Sequence, residues 1–292
     1  MPELPEVETV RRGLNRLVSG ATIASIEVFW PKIINNDVDS FKQRLANQTI
    51  QTIDRRGKYL LFRFSNGLTM VSHLRMEGKY NVVPRGEDQG KHTHVIFHLT
   101  DDRDLLYNDT RKFGRMTLVP TGEENTVAGL RTIGPEPVAE QLTLAYMTAT
   151  FGKSKKMIKP LLLDQSKIAG IGNIYADETL WMSKIHPMRP ANSLTTDEIA
   201  TLRQNIIDEM AMAIKGHGTT VHSFSTAFGE AGQFQNHLHV YGREGEPCER
   251  CGTIIEKIKV AQRGTPFLSV RTTVVGDQDD KADWIDWWHC HW

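Results

Sequence analysis

Apolar residues recur at three- and four-residue spacing near the start of the chain, where Val7, Val10 and Leu14 share one face of a helix predicted over residues 2–18. Glu3, Glu6 and Glu8 sit in its first turns, where the helix dipole favours negative charge. The pattern then shortens to runs that read as strands at 22–29, 49–55, 58–64, 69–74, 94–99, 104–108 and 115–119. Asn66-Gly67, Glu77-Gly78, Arg85-Gly86 and Asp101-Asp102 supply turns between them, so an antiparallel β domain is expected. Ile133-Gly-Pro-Glu-Pro137 has the composition of a linker. Beyond it the helical period returns over 142–151, 158–163, 176–181 and 196–216, the last capped by Thr195 or Thr196 and ended by Gly216. A strand pair at 238–241 and 256–260 flanks Cys248-Glu-Arg-Cys251.

The resulting class is α+β: an antiparallel β-sandwich with a leading helix, then a helical domain and a small hairpin. At 292 residues the chain has room for two cores. It lacks any apolar run of about 18 residues, so no membrane span is expected. Three cysteines and no secretory leader place the expectation in a reducing cytoplasm. Lysine plus arginine and aspartate plus glutamate both number 35, which by itself argues against a polyanion as partner. The balance is uneven, however. Residues 268–292 carry five acidic and two basic side chains and four of the six tryptophans, leaving 33 basic against 30 acidic groups in the rest.

Candidate chemistry begins at the N-terminus. Removal of Met1 exposes Pro2, whose secondary amine titrates far below a lysine and can attack an electrophilic carbon to give an iminium. Glu3 and Glu6 are general acid or base groups within reach. Lys153, Lys155, Lys156 and Lys159 lead into Gly170-Ile-Gly-Asn-Ile174, a glycine turn whose N–H groups are expected to face a phosphate. Three basic clusters, Arg55-Arg-Gly-Lys-Tyr59, His73-Leu-Arg-Met-Glu77 and Asp109-Thr-Arg-Lys-Phe113, each hold an apolar residue able to wedge into a base stack. Cys248 and Cys251 have the spacing of one zinc knuckle, which is half of a tetrahedral site. His289, Cys290 and His291 are the nearby candidates for the remainder.

These pieces meet in one family. The opening decapeptide, with Arg56-Gly-Lys-Tyr-Leu60, His73-Leu-Arg-Met-Glu-Gly78, Asp109-Thr-Arg-Lys-Phe-Gly114, Ile133-Gly-Pro-Glu-Pro137, Gly170-Ile-Gly-Asn-Ile-Tyr175 and Val240-Tyr-Gly-Arg243, closely resembles bacterial formamidopyrimidine-DNA glycosylase over residues 2–267. The resemblance implies a base-excision-repair glycosylase and abasic-site lyase that removes oxidised purines such as 8-oxoguanine and formamidopyrimidines. It implies Pro2 as Schiff-base nucleophile, with Glu3 and Glu6 handling protons. It also implies that Lys58 binds the phosphate beside the lesion, helped by Lys159, Asn173 and Arg263, and that His73 and Tyr241 join the DNA contacts. Met76, Arg111 and Phe113 fill the place of the flipped nucleotide, Arg111 pairing with the orphaned cytosine. The loop at 216–232 covers the extruded base. One zinc ion, duplex DNA with oxidised purines or abasic sites as partner, and a monomer are expected. So are four segments: a catalytic sandwich at 1–133, a helix-two-turn-helix domain at 134–236, a zinc hairpin at 237–267 and an atypical tail at 268–292.

The tail departs from the family, which ends in a second pair of zinc cysteines. Leu268-Ser-Val-Arg-Thr-Thr-Val-Val275 stands there instead, and one choice of codons read one nucleotide later gives Cys-Pro-Tyr-Val-Gln-Gln and a stop. A frameshift is therefore expected. Two other readings remain: a lesion-binding protein without catalysis, and an endonuclease VIII-like enzyme for oxidised pyrimidines.

Overall fold

The computed structural model describes residues 1–87, 89–219 and 232–268. The chain opens with helix α1 (Leu4–Val18), started by Glu3 and Pro5 and closed by Glu6, whose Oε2 accepts the Glu3 N–H at 2.8 Å. This return bond satisfies a donor that a helix start otherwise leaves open. Then follow β1 (Ile23–Val28), α2 (Val38–Leu45), β2 (Ile50–Arg56), β3 (Tyr59–Phe64), β4 (Leu68–His73), β5 (Lys79–Pro84), β6 (Thr93–Leu99), β7 (Arg103–Asn108) and β8 (Arg115–Pro120). The strands form two antiparallel four-stranded sheets in the orders β1-β6-β7-β5 and β2-β3-β4-β8.

One apolar core joins both sheets to α1. Phe62, Phe64 and Met70 come from one sheet, Val95, Phe97 and Tyr107 from the other, and Val7, Val10, Leu14 and Val18 from the helix. Each fully buried side chain of this size stabilises the fold by roughly 1.5–3 kcal/mol before chain entropy is set against it. The sandwich and its leading helix thus stand as expected. Strand β5 departs from the expectation of seven strands. It pairs only with β7, buries only Tyr80 and ends in a proline, so it lacks the alternation that marks a half-buried strand.

Beyond the sheets come α3 (Ala128–Arg131), α4 (Leu144–Phe151), α5 (Ile158–Leu163), α6 (Asn173–Met182), α7 (Thr196–Lys215), β9 (Ile255–Val260) and β10 (Arg263–Leu268). The chain divides into two compact units. The first comprises Met1–Gln141, Asp164–Ile171 and Met210–Asn236, the second Leu142–Leu163, Gly172–Glu209 and the chain from His237 on. By this division residues 134–236 contribute to both units. Residues 238–241 were expected to pair with 256–260, but β9 pairs with β10 instead. The N–H groups of His239, Val240 and Tyr241 go to the Glu178 carboxylate, at 2.8, 3.0 and 2.8 Å, and no ladder is needed. Among the described residues no helix is long and apolar enough to cross a membrane. His289, Cys290, His291, the frameshift reading and most of the expected cover loop lie outside the described residues.

Candidate active site and nucleic-acid interface

In the first unit, two successive carbonyls hold the start of α1 and the Lys58 side chain. The Gly170 carbonyl accepts the Leu4 N–H at 3.1 Å, and the Ile171 carbonyl accepts the Lys58 ammonium at 3.0 Å. Pro2 is therefore tethered two residues from one acceptor, while Lys58, only 4 % exposed, is tethered to the next. The Gln165 amide braces the turn from behind, donating to the Ile171 carbonyl at 2.8 Å and accepting the Gly170 N–H at 2.9 Å. Gly170 has φ +85°, and a Cβ there would meet Leu4 side-chain atoms at 2.4 and 2.5 Å. The expectation for this turn is corrected in one respect. The Gly170 N–H serves Gln165, while the carbonyls of Gly170 and Ile171 hold the Leu4 N–H and the Lys58 ammonium.

Glu3 and Glu6 are both buried beside this point. Glu6 is held at both oxygens: Oε2 by the Glu3 amide, Oε1 by the Thr219 N–H at 2.8 Å and the Thr219 hydroxyl at 3.3 Å. Gly218, at φ +74°, passes so near that a Cβ would lie 2.6 Å from Glu6 Oε1. Sequence reasoning missed Thr219. Its only signal was its place at the mouth of the glycine-rich loop.

The basic clusters do not all face outward. Glu136 takes the Arg55 guanidinium at 2.7 Å, that of Arg56 at 2.9 Å and the Gly57 N–H at 2.6 Å, and Arg55 also meets Glu8 at 3.1 Å. Arg11 and Arg12 likewise bond Glu8 and, with Arg55, hold its carboxyl down at about 2 against the opposing effect of burial. Arg55 and Arg56 thus brace the Lys58 turn. His73, buried under Tyr59 at 4.5 Å between ring centroids, accepts the Arg75 N–H at Nδ1. Burial, then the Arg75 and Lys58 charges, push its pKa down to about 3, so the ring is neutral.

Met76 and Phe113 are exposed, at 36 % and 48 %. The Arg111 guanidinium lies 4.9 Å from the centre of the Phe113 ring. Asp109 shapes that loop, accepting the N–H groups of Arg111 at 3.0 Å and Gly114 at 2.8 Å.

In the second unit, Lys159 is fully buried and pairs with Asp177 at 2.7 Å. It also donates to the Gly264 carbonyl at 3.1 Å and the Thr265 hydroxyl at 2.7 Å. Lys159 therefore anchors β10 rather than presenting a charge to DNA, which corrects the expectation for it. Asn173 donates to the same Gly264 carbonyl at 3.1 Å. Arg263 begins β10 and is exposed; Tyr241 is half-buried, its N–H on Glu178.

Cys248 is buried in a small cluster with Val240 and Ile255, and its sulfur accepts the Trp181 indole N–H at 3.5 Å. Trp181 lies between His239, stacked at 4.3 Å, and the Arg250 guanidinium at 4.0 Å. Cys251 is exposed. Among the described residues no group of three or more His, Cys, Asp or Glu side chains stands together to hold a metal. The described residues therefore do not fit a complete zinc site; the two thiols offer two of four positions.

Family models match three stretches: the formamidopyrimidine-DNA glycosylase N-terminal domain over residues 1–116, its H2TH domain over 133–225, and the zinc finger found in FPG and IleRS over 245–267. A formamidopyrimidine-DNA glycosylase of Pediococcus pentosaceus is 60% identical over 267 residues, covering 91% of this chain and 97% of its own. That of Latilactobacillus sakei subsp. sakei is 58% identical, covering 91% and 96%. Among solved structures, Lactococcus lactis FPG in complex with DNA containing FAPY-dG superposes with a TM-score of 0.86 at 43% identity, covering 91% of this chain and 98% of that one. The same enzyme with DNA containing an abasic site gives 0.87 at 43%, covering 91% and 97%. Sharing its motifs, domains and fold with these proteins, the chain belongs to the formamidopyrimidine-DNA glycosylase family.

Proposed function

We infer that Pro2 is the nucleophile with which this chain, a base-excision-repair glycosylase and abasic-site lyase by family, removes oxidised purines from duplex DNA. The observation that carries this is the pair of carbonyls at Gly170 and Ile171, which ties the start of α1 and the Lys58 ammonium to consecutive backbone atoms. An enzyme that works at a sugar C1′ inside a duplex must first extrude the nucleotide, at a cost of a few kcal/mol. The exposed Met76 and Phe113 and the guanidinium of Arg111 are suited to fill the vacated stack and offset that cost.

The free amine of Pro2 then donates its lone pair to C1′. The bond from C1′ to the base breaks, its electrons leave with the base, and a proton restores the base to neutrality. Glu3 takes the proton left on the Pro2 nitrogen and delivers a proton to O4′, and the freed lone pair opens the sugar, leaving an iminium between Pro2 and C1′. That cation acidifies the hydrogen on C2′; its loss expels the 3′ phosphate, and a second elimination expels the 5′ phosphate. Glu3, buried next to the nucleophile, is the group placed to carry these protons. Glu6, fixed by Thr219 and the Glu3 amide, sets the position of Glu3. Lys58 supplies the cation for the phosphate beside the lesion. In the second unit Arg263 offers an exposed guanidinium to the backbone, on a strand held in place by Lys159 and Asn173. Cys248 and Cys251 would contribute half of a structural zinc site, which has no part in these steps.

Borohydride trapping on a duplex with 8-oxoguanine opposite cytosine tests the reading. A covalent adduct is expected, and Pro2→Gly should sharply reduce it. Undiminished trapping by that variant removes Pro2 from the role, and no adduct from the unaltered protein removes the enzyme.

A further inference from the structure

The loop that carries Arg111 and Phe113 has a second cation that the reaction does not use. Lys112 adopts φ 59°, a left-handed conformation, with its N–H on the Asp109 carbonyl at 3.3 Å. Its neighbours Arg111 and Phe113 pair with each other, whereas its own ammonium lies 4.2 Å from the centre of the Trp30 indole. Lys32 approaches the same ring, at 5.6 Å. Both lysines are exposed, and among the described residues neither takes part in an ion pair. The cluster at Arg55 and Arg56 differs, since Glu136 and Glu8 compensate it. Two like charges gathered at one ring without a carboxylate repel one another, and an anion seated against both would relieve this.

The segment holding Trp30 is fixed to the wedge loop. The His94 carbonyl accepts the N–H groups of Phe29 at 2.9 Å and Trp30 at 3.4 Å, and the His94 ring donates from Nε2 to the Asp109 carbonyl at 2.8 Å. Farther on, Asn35 donates its N–H to the Met116 carbonyl at 2.9 Å, and Asn36 exchanges two bonds with Leu118. The two lysines are thus held beside Arg111 and Phe113 by the backbone and by His94.

Resting on the function proposed above, we propose that Trp30, Lys32 and Lys112 form a phosphate-binding shelf for the DNA strand opposite the lesion, the strand that Arg111 faces. The occupant is a backbone phosphate, because two ammonium groups without a planar guanidinium fork suit a point charge better than a base edge. The indole keeps the two lysine side chains ordered between turnovers.

The test uses a duplex with a tetrahydrofuran abasic analogue opposite cytosine, titrated over a range of salt with the full chain and its variants. Each phosphate contact given up lowers the slope of log affinity against log salt by about 1. Because one phosphate sits against both lysines, Lys32→Ala with Lys112→Ala should flatten the slope by about 1 and weaken binding alike for abasic and 8-oxoguanine duplexes. Neutral methylphosphonate linkages, walked along each strand, name the partner. On the strand opposite the lesion, one position should weaken the unaltered protein and leave the double variant unaffected; on the lesion strand no position should separate them. An unchanged slope overturns the shelf, as does a separation that appears only on the lesion strand. Lys32→Arg and Trp30→Phe leave the wedge loop in place and should retain most of the slope. Their losing it in full as well would assign the effect to folding and overturn the proposal. Borohydride trapping by the unaltered protein is the separate control: its failure refutes the function proposed, whereas success with an unchanged slope refutes only the shelf.

Discussion

The Gly170 carbonyl holds the Leu4 amide at 3.1 Å, across more than 160 residues of chain, in a space where a single added methyl group would strike the Leu4 side chain. Gly170→Ala must accept a left-handed backbone, at about 1–3 kcal/mol, and push α1 away. Displacing a nucleophile by about 1 Å costs on the order of 100-fold in rate. The variant should bind a tetrahydrofuran duplex nearly as well as the unaltered protein and trap 8-oxoguanine DNA far more slowly in single-turnover experiments. Equal trapping rates would show that the turn does not position Pro2.

The buried pair of Lys159 and Asp177 should behave as a unit. Removing one partner leaves an uncompensated charge in the interior, worth about 3–5 kcal/mol, whereas removing both leaves an apolar gap. Lys159→Met should therefore lower the urea midpoint more than Lys159→Met combined with Asp177→Leu. A double-mutant cycle in which the two losses simply add would rule out the coupling.

Glu209 is buried on α7 with its pKa pushed up to about 8, first by burial and then by the charge of Glu178. The folded state keeps the proton that the unfolded chain releases above about 4.5. This stabilising contribution is complete at low pH and is lost as pH rises from there to 8, by about 1.4 kcal/mol per pH unit. Glu209→Gln should have little effect at pH 4.5 and raise the melting temperature increasingly up to pH 8. A constant difference across that range would assign the effect to something other than titration.

His73 gives the opposite dependence. Its ring stays neutral in the fold down to about pH 3, while in the unfolded chain it takes a proton below its ordinary 6.5. Stability is therefore lost as pH falls from 6.5 toward 3, and His186, which burial lowers to about 4, adds to the loss. Replacement of His73 by Gln should flatten the acid side of the stability profile, as followed by denaturant titration from pH 7 to pH 4. A profile of unchanged steepness would place the acid sensitivity elsewhere.

The fold was legible where periodicity is dense. Val7, Val10 and Leu14 predicted α1, and the turn dipeptides marked most of the strands. Strand β5 escaped because an edge strand with one buried residue has no pattern to read. The site was legible as a set of residues but not as a set of partners. That Arg55 would spend its charge on Glu136, or Lys159 on Asp177, depends on contacts formed only when distant segments meet. The turn at Gly170 was found from its glycines, but that the Gly170 N–H would serve Gln165, and its carbonyl the start of α1, depends on contacts no local pattern shows.

Glu178 has a further consequence. By accepting three consecutive backbone amides, it positions His239, Val240 and Tyr241 without regard to what their side chains are. Any amino acid except proline can supply such a donor. The backbone path of this segment is therefore set by one carboxylate, which leaves Val240 to pack against Cys248 and His239 to stack on Trp181 without either having to hold the chain in place.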